Sequence, residues 1–235
     1  MFGEQRSVEV GGGGVVTSRL VRCARPPDRD APGAWIRGVL RAQFVEGRER
    51  ERIGSARDAQ HRFQHGVVRA RALEVVVRLL QRGAVKVYAI DVGYGQLHDK
   101  MRRDDRVVVM ERTNARHLTR DDIPEPIDLI VIDASFIGLG KLLPAAAVLL
   151  SETVRGGRVA SVVAMVKPQF EVGRGATKGG VVRDPELRLA AIDGVSRAAT
   201  ELGFVERQRA DAAVKGPKGN HEAFLLLELV ATGAT

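Results

Sequence analysis

Apolar residues follow two patterns along the last two-thirds of the chain, and together these predict alternating strands and helices. Continuous apolar runs flanked by charged residues indicate central parallel strands, because both faces of such strands are covered. Helical segments instead repeat apolar positions three and four residues apart. The predicted strands are Val85–Asp91, Val107–Glu111, Asp128–Asp133, Arg158–Val166, Phe204–Asp211 and Ala223–Leu229. The predicted helices are Glu74–Arg82, Gly95–Arg103, Leu139–Leu150 and Asp184–Leu202.

Residues at the segment ends support these boundaries. Gly83 and Gly203 each follow a predicted helix, and glycine commonly ends helices. Asp184 before Pro185 is typical of an N-cap followed by the first helical position. The order of elements predicts an α/β fold with a doubly wound sheet, whose last two strands form an antiparallel pair at the C-terminal edge.

The first 73 residues differ from the rest of the chain. They contain no lysine and many arginines, with a glycine run at Gly11–Gly14 and a charge run at Glu46–Arg52. Neither helical periodicity nor strand alternation is sustained here. We therefore expect a poorly ordered segment with one short helix around Ile36–Phe44.

Composition narrows the classes of function. A net charge of +8 and an isoelectric point of about 10.2 favour a polyanionic partner such as nucleic acid, or an arginine-rich surface without one. Cys23 is the only cysteine, which excludes an internal disulfide and a cysteine zinc cluster and fits a reducing compartment. No apolar run approaches the roughly 20 residues of a membrane span. We expect a cytoplasmic protein with no signal peptide, membrane association or metal.

Three charged residues close predicted strands: Asp91, Asp133 and Lys167. Ligands bind at the carboxyl ends of the strands in an open α/β sheet, so these residues are candidates for a site. Each has a simpler interpretation, since an acid after a strand is often a helix N-cap and a lysine before proline is often a solvated loop residue. Asp91 stands where nucleotide-binding folds place the acid that grips a ribose diol.

Asp133 and Lys167 follow neighbouring predicted strands, where an opposite charge within about 4–6 Å keeps both groups ionised. An ammonium beside a substrate hydroxyl also stabilises a developing alkoxide. That is the chemistry needed when a sugar hydroxyl attacks a methyl sulfonium. Glu222 precedes the last predicted strand, and it either joins this cluster or is a solvated acid at a strand start.

A glycine-rich loop, Phe170–Gly180, follows Lys167-Pro168. Arg174 and Lys178 within it either clamp an RNA backbone or belong to a plain mobile connector. The loop lacks the Lys-Ser/Thr ending of a P-loop, so it does not indicate an NTPase.

Six motifs in this part of the chain resemble the TlyA/hemolysin A family, which belongs to the FtsJ-like rRNA 2′-O-methyltransferases. Their order and spacing agree with the family from about Leu79 to Leu229. The motifs are VYAIDVGYGQL (Val87–Leu97), VVVMERTNAR (Val107–Arg116), DLIVIDASFI (Asp128–Ile137), MVKPQFEVGR (Met165–Arg174), KGGVVRDPELR (Lys178–Arg188) and GPKGNHEAFLLLEL (Gly216–Leu229).

The resemblance implies a Rossmann-like sheet, S-adenosylmethionine as cofactor, and cytidines of ribosomal RNA in the ribosomal subunits as substrate. It also implies that Asp133, Lys167 and Glu222 are the last three members of a Lys-Asp-Lys-Glu tetrad. Lys167 would assist deprotonation of the ribose 2′-hydroxyl, with both acids orienting and tuning it. The implied cofactor-binding residues are Asp91 and Val92 at the adenosine ribose, Arg112, Thr113 and Asn114 at the adenine, and Asp133.

The N-terminal third departs from this family. We expect residues 1–73 to be an irregular segment in place of the family's S4-like RNA-binding domain, residues 74–230 to be the FtsJ-like domain, and residues 231–235 to be a tail. The first tetrad lysine and the glycine-rich cofactor loop have no counterpart, since no lysine precedes Lys86. We interpret residues 1–73 as an out-of-frame reading or a decayed N-terminus.

This departure has physical consequences. Loss of the first strand and its glycine loop should leave an unpaired strand edge in the centre of the sheet and weak or absent cofactor binding. The sequence therefore predicts an rRNA 2′-O-methyltransferase that is impaired in this chain. The alternatives are a non-catalytic RNA-binding remnant of the family and a haemolysin-like protein.

Overall fold

The computed structural model describes residues 16–23, 75–173, 175–216 and 218–231, and for residues 16–23 it describes the main chain alone. The strands are β1 (Val16–Cys23), β2 (Ala84–Asp91), β3 (Val107–Met110), β4 (Leu129–Ala134), β5 (Ala160–Val166), β6 (Phe204–Asp211) and β7 (Ala223–Leu229). The helices are α1 (residues 75–81), α2 (Asp99–Arg102), α3 (Leu143–Arg155), α4 (Pro168–Glu171) and α5 (Pro185–Glu201). Two 3₁₀ turns, Ala115–His117 and Leu139–Lys141, complete the elements of the described residues.

These strands form one sheet in the order β3-β2-β1-β4-β5-β7-β6. The pairs β2–β3 and β4–β5 are parallel, as buried α/β strands should be. β7 is antiparallel to both β5 and β6, which confirms the predicted antiparallel pair at the C-terminal edge. The α/β fold class predicted from the sequence is therefore confirmed.

The strand Val16–Cys23 corrects two expectations about the first third of the chain. This part is not without regular structure, and the sheet centre is not open, because β1 pairs with both β2 and β4. β1 runs antiparallel to both neighbours. Without β1, the main-chain N–H and C=O groups along the facing edges of β2 and β4 would be buried and unpaired. An extended segment between them satisfies these groups, so pairing with the neighbouring strands outweighs the weak strand signal in the local sequence.

Several predicted boundaries also move. Gly95 has a φ of 69°, so residues 92–98 form a turn and α2 begins only at Asp99. The segment from Leu139 begins as a 3₁₀ turn and then continues as α3 to Arg155. The start of the predicted loop is helical, because α4 extends to Glu171. The Asp184 N-cap is confirmed, since its side chain accepts a hydrogen bond from the Glu186 N–H.

The sheet is covered on both faces by apolar side chains. Alternate residues of β2, β4, β5 and β7 face one core with α3 and α5, and the remaining ones face a second core with α1 and α2. This double burial explains why the strands appear in the sequence as continuous apolar runs. The predicted helix at Ile36–Phe44 and Arg174 lie outside the described residues. Within the described ranges, no helix has the length and apolar character needed to cross a bilayer.

Candidate active site

The carboxyl ends of β2, β4 and β5 bring the predicted charged residues to one edge of the sheet. Thr17 of β1 pairs with Asp91 on one side and with Asp133 on the other, so the two acids share a row across the sheet. Two strand spacings, about 10 Å in total, separate their Cα positions. This separation suits a ligand that extends along the edge from one acid to the other.

Lys167 and Asp133 form an ion pair at this edge, as predicted. The Lys167 Nζ lies 2.7 Å from the Asp133 Oδ1 and donates a hydrogen bond of 2.9 Å to the Ser135 Oγ. Lys167 is only 9% exposed, so its ammonium depends on these partners rather than on bulk water. An ammonium has three donors; one of them is hydrogen-bonded to Ser135, and Asp133 is the ion-pair partner of the same nitrogen.

The Lys167-Pro168 dipeptide explains why this ammonium stands at the strand end. A residue before proline favours extended backbone, and Lys167 has φ −111° and ψ 98°. Pro168 then starts α4, where its missing N–H costs nothing. The Phe170 N–H donates to the Lys167 carbonyl oxygen at 2.9 Å, which fixes the turn.

Glu222 directly precedes β7, the strand that pairs with β5 next to Lys167. The β5–β7 register ends at Val166 opposite Ala223, so one further step places Lys167 opposite Glu222. Glu222 is 4% exposed, and a Cβ built on Gly216 would lie 2.8 Å from its Oε1. Glycine is therefore required at 216 for the main chain to approach the carboxylate this closely. Glu222 is a buried neighbour of the pair rather than the solvated acid of the simpler interpretation.

At the Asp91 end of this row, hydrogen bonds of the main chain join the ends of β2 and β3. The Asp91 Oδ1 accepts the Gly93 N–H at 2.7 Å, and the Asp91 carbonyl oxygen accepts the Thr113 N–H at 3.0 Å. The Gly93 carbonyl oxygen accepts the Arg112 N–H at 3.1 Å. Asp91 is 5% exposed beneath this turn, whereas Val92 is exposed. The sequence-predicted Asp91, Val92, Arg112 and Thr113 are thus brought together.

Arg112 and Tyr94 form an exposed flat surface beside these residues. The Arg112 guanidinium lies 4.6 Å from the centroid of the Tyr94 ring, and Arg112 has a left-handed φ of 54°. Asn114 has a local role, since its side chain accepts the Arg116 N–H and caps the 3₁₀ turn. Glu111 closes the same corner.

Electrostatics hold Glu111 ionised. Burial favours its neutral form, but the N–H groups of Gly95 and Gln96 and the Arg102 guanidinium outweigh this and lower the pKa of the Glu111 carboxyl. The corner between β2 and β3 is therefore fixed by charge-assisted hydrogen bonds.

Three residues at the site were missed by sequence reasoning: Ser135, Phe136 and Glu171. Phe136 is 67% exposed at a left-handed φ of 66°, and its ring centroid lies 5.0 Å from that of Phe170. Glu171 accepts the Leu139 N–H at 2.9 Å, and burial raises the pKa of its carboxyl. The signal for Ser135 was its place directly after the Asp133 strand end.

The described residues fit the adenosine part of a nucleoside cofactor better than its other end. A carboxylate accepts several hydrogen bonds, which suits a ribose diol at Asp91, and the Tyr94–Arg112 surface suits a base. A parallel central strand would deliver its following loop to this edge, but the antiparallel β1 presents its amino end there. Among the described residues, no glycine loop at this edge cradles the methionine end.

The sequence profile of the FtsJ-like methyltransferase family matches residues 74–229, more than half of the chain. The chain belongs to the FtsJ-like methyltransferase family. It is 50% identical over 150 residues to the 16S/23S rRNA (cytidine-2′-O)-methyltransferase TlyA of Mycobacterium tuberculosis, covering 63% of this chain and 54% of that protein. It is 40% identical over 149 residues to Hemolysin A of Brachyspira hyodysenteriae, covering 61% and 58%.

A solved structure of a candidate hemolysin from Lactococcus lactis is similar to this chain. Its TM-score is 0.61 at 36% identity, covering 67% of this chain and 76% of that one. The resemblance to the TlyA/hemolysin A family is therefore confirmed. The chain spans about half the length of the curated relatives that it matches.

Proposed function

We propose that this chain transfers a methyl group from S-adenosylmethionine to the 2′-hydroxyl of a ribose in RNA, with a cytidine of ribosomal RNA as the target. The observation that carries the proposal is the buried Lys167 ammonium at the strand edge, ion-paired with Asp133 and hydrogen-bonded to Ser135. The rRNA methyltransferase named among the relatives supports this choice of substrate.

In this proposal Lys167 acts on the attacking hydroxyl. An N–H of the ammonium donates to the ribose 2′-oxygen and stabilises the negative charge that develops there as the hydroxyl proton passes to a water molecule. Asp133 holds the ammonium in position through their 2.7 Å ion pair, and the Ser135 Oγ accepts one of its N–H groups. Glu222, opposite Lys167, adds a second carboxylate to the same wall of the site.

The other end of the row holds the adenosine of the cofactor. Asp91 binds the ribose hydroxyls, while Val92 and the segment Arg112–Asn114 border the base. When bound, S-adenosylmethionine supplies an activated methyl group on sulfonium. The 10 Å between the two acids leaves room for the nucleoside along the edge, with its reactive end directed towards Asp133 and Lys167.

Phe136 supports a single-stranded RNA substrate. An exposed aromatic ring beside the reacting group can stack on an unpaired base, and such stacking is the common means of holding bases in RNA recognition. Its left-handed backbone, unusual for a bulky residue, places the ring outside the core.

The experiment compares methyl incorporation into ribosomal RNA by the full chain, by Lys167→Ala and by Lys86→Ala. Lys86 is a matched control, because it pairs with Glu125 at the opposite end of the sheet. The proposal predicts that transfer falls at least about a hundredfold in Lys167→Ala and is kept in Lys86→Ala. Equal transfer by all three chains contradicts it.

The antiparallel β1 also supports a second candidate, a non-catalytic RNA-binding remnant. In that case the chain binds ribosomal RNA but transfers no methyl group even at saturating S-adenosylmethionine. The same assay, run beside an RNA-binding measurement, separates the two functions.

A further inference from the structure

Two loops beside Glu222 are joined by one buried side chain. We call residues 175–183 and 218–222 the paired loops. The Asn220 side chain lies between them, with the residue 2% exposed: its Oδ1 accepts the Val182 N–H at 3.0 Å, and its Nδ2 donates to the Gly180 carbonyl oxygen at 2.9 Å. A donor on one side and an acceptor on the other fix the orientation of the amide.

The first of the paired loops is a tight turn rather than a mobile connector. Lys178 and Val181 exchange two main-chain hydrogen bonds of 3.2 Å. Gly179 and Gly180 between them have φ values of 64° and 79°, the conformation of a type I′ turn. The turn therefore presents the Lys178 side chain from a defined backbone.

The second loop is tied to the catalytic wall. The Asn220 carbonyl oxygen accepts the Gly216 N–H at 2.9 Å, and Gly216 packs against the Glu222 carboxylate. A Cβ on Gly180 would lie 3.5 Å from the Lys218 Nζ, so the Lys218 side chain crosses towards the first loop. One residue, Asn220, thus sets the position of both loops relative to Glu222.

The paired loops carry an excess of positive charge. Lys178, Arg183 and Lys218 are exposed, and no ion pair joins them to a carboxylate elsewhere in the described ranges. Of the nearby acids, Asp184 caps α5, Asp211 pairs with Arg188, and Glu222 is buried. Cations left unpaired on a rigid surface beside an active site suit a polyanion.

We propose that the paired loops bind the phosphate backbone of an RNA strand beside the active site. Lys178, Arg183 and Lys218 are the phosphate contacts, and Asn220 is the positioning residue that holds the two loops together. This inference rests on the proposed function, which makes RNA the polyanion that must reach Lys167.

The first test measures how the affinity of the full chain for a labelled single-stranded oligocytidylate of about twenty nucleotides depends on salt. The logarithm of the association constant falls linearly with the logarithm of the salt concentration. Each lost phosphate contact makes this line less steep by about 0.7. The variant Lys178→Ala/Lys218→Ala loses two contacts, so the magnitude of its slope should be smaller by about 1.4. The control Arg155→Ala/Arg197→Ala removes the same charge from two exposed positions near the other end of the sheet, and should not change the slope. An unchanged slope in the lysine variant, or an equal fall in the control, overturns the proposal.

The second test removes the Asn220 side chain that links the paired loops, without changing the charge of the chain. Asn220→Ala should also lower the salt slope, because the two loops no longer present their cations together, whereas a purely structural asparagine would leave the slope unchanged. Gln208→Ala, an exposed amide on β6, is the neutral control. A folded Asn220→Ala chain with the original slope contradicts the positioning role. If this variant does not fold, the lysine comparison decides alone.

The outcome is separable from that of the proposed function. A lowered slope in a chain that transfers no methyl group supports the paired loops and contradicts the methyl transfer. Methyl transfer by the full chain, together with an unchanged salt slope in the lysine variant, supports the methyl transfer and contradicts the role of the paired loops.

Discussion

At the scale of single residues, the Lys167 ammonium and the Asp133 carboxylate depend on each other, since Lys167 is nearly buried and its carboxylate is 2.7 Å away. Removing one partner of such a pair leaves the other charge uncompensated, whereas removing both costs less. Asp133→Asn and Lys167→Met should each destabilise the fold, and the double variant should lose less than their sum. We expect a coupling of about 1–3 kcal/mol in urea unfolding; additive losses would contradict the pairing.

Gly216 limits what can stand beside Glu222. A Cβ there meets the Glu222 Oε1 at 2.8 Å, and the main chain is held by hydrogen bonds to Asn220 and Gly219. Gly216→Ala should therefore displace the carboxylate, cost about 1–3 kcal/mol of stability and reduce methyl transfer. Gly140→Ala is the matched control, because its nearest neighbour would lie 3.9 Å away. Comparable transfer by both variants would show that the Glu222 position does not matter.

Single residues were the part of the site that the sequence predicted best. Asp91, Asp133 and Lys167 could be found because each follows an apolar run that forms a strand, and strand ends share an edge. Phe136 could not, because its exposure depends on a left-handed φ that no local pattern signals. Asn220 could not either, since its two partners lie 38 and 40 residues away in the chain.

At the scale of elements, α4 carries a partly buried carboxylate, that of Glu171, close to the site. Because burial raises the pKa of Glu171 above its ordinary value of 4.5, the unfolded chain releases this proton at lower pH than the folded chain. The carboxylate therefore costs stability as the pH rises above 4.5. Glu171→Gln should raise the urea midpoint at pH 7 and change it little at pH 4. A gain of the same size at both pH values, or in the exposed control Glu201→Gln, would contradict this.

β1 is the element that the sequence did not predict, because a single eight-residue segment without sustained alternation is stabilised only by the two strands beside it. Its Arg19 pairs with Ala89 on β2 and with Val131 on β4. Arg19→Pro removes a main-chain donor in the sheet centre and should abolish the hydrogen-exchange protection of Val131, its partner on β4. Arg19→Ala keeps the amide and should keep the protection. If hydrogen-exchange protection is unchanged in the proline variant, β1 is not the strand that lies between β2 and β4.

At the scale of the whole molecule, the direction of β1 separates the two halves of the site. In the proposed function, Lys167 and its acids form the substrate side, and Asp91 and Arg112 form the adenosine side of the cofactor site. We expect S-adenosylmethionine to bind more weakly than micromolar, and within about tenfold of adenosine alone, since its methionine end makes few contacts. Isothermal titration with both ligands checks this, and micromolar affinity for the cofactor alone would contradict it.

The fold class could be predicted because parallel strands covered on both faces appear in the sequence as continuous apolar runs, and here these runs alternate with helical periodicity. The centre of the sheet did not follow, since strand direction there is decided by pairing across the fold rather than by local sequence.

The central claim is that Lys167 directs a methyl group to a ribose oxygen, and the chemical position of the transferred methyl tests it most directly. Ribosomal RNA treated with the full chain at high S-adenosylmethionine is digested to nucleosides and analysed by mass spectrometry. We expect 2′-O-methylcytidine after treatment with the full chain and none after treatment with Lys167→Ala. A methyl group on a base, or 2′-O-methylcytidine formed equally by Lys167→Ala, would contradict it.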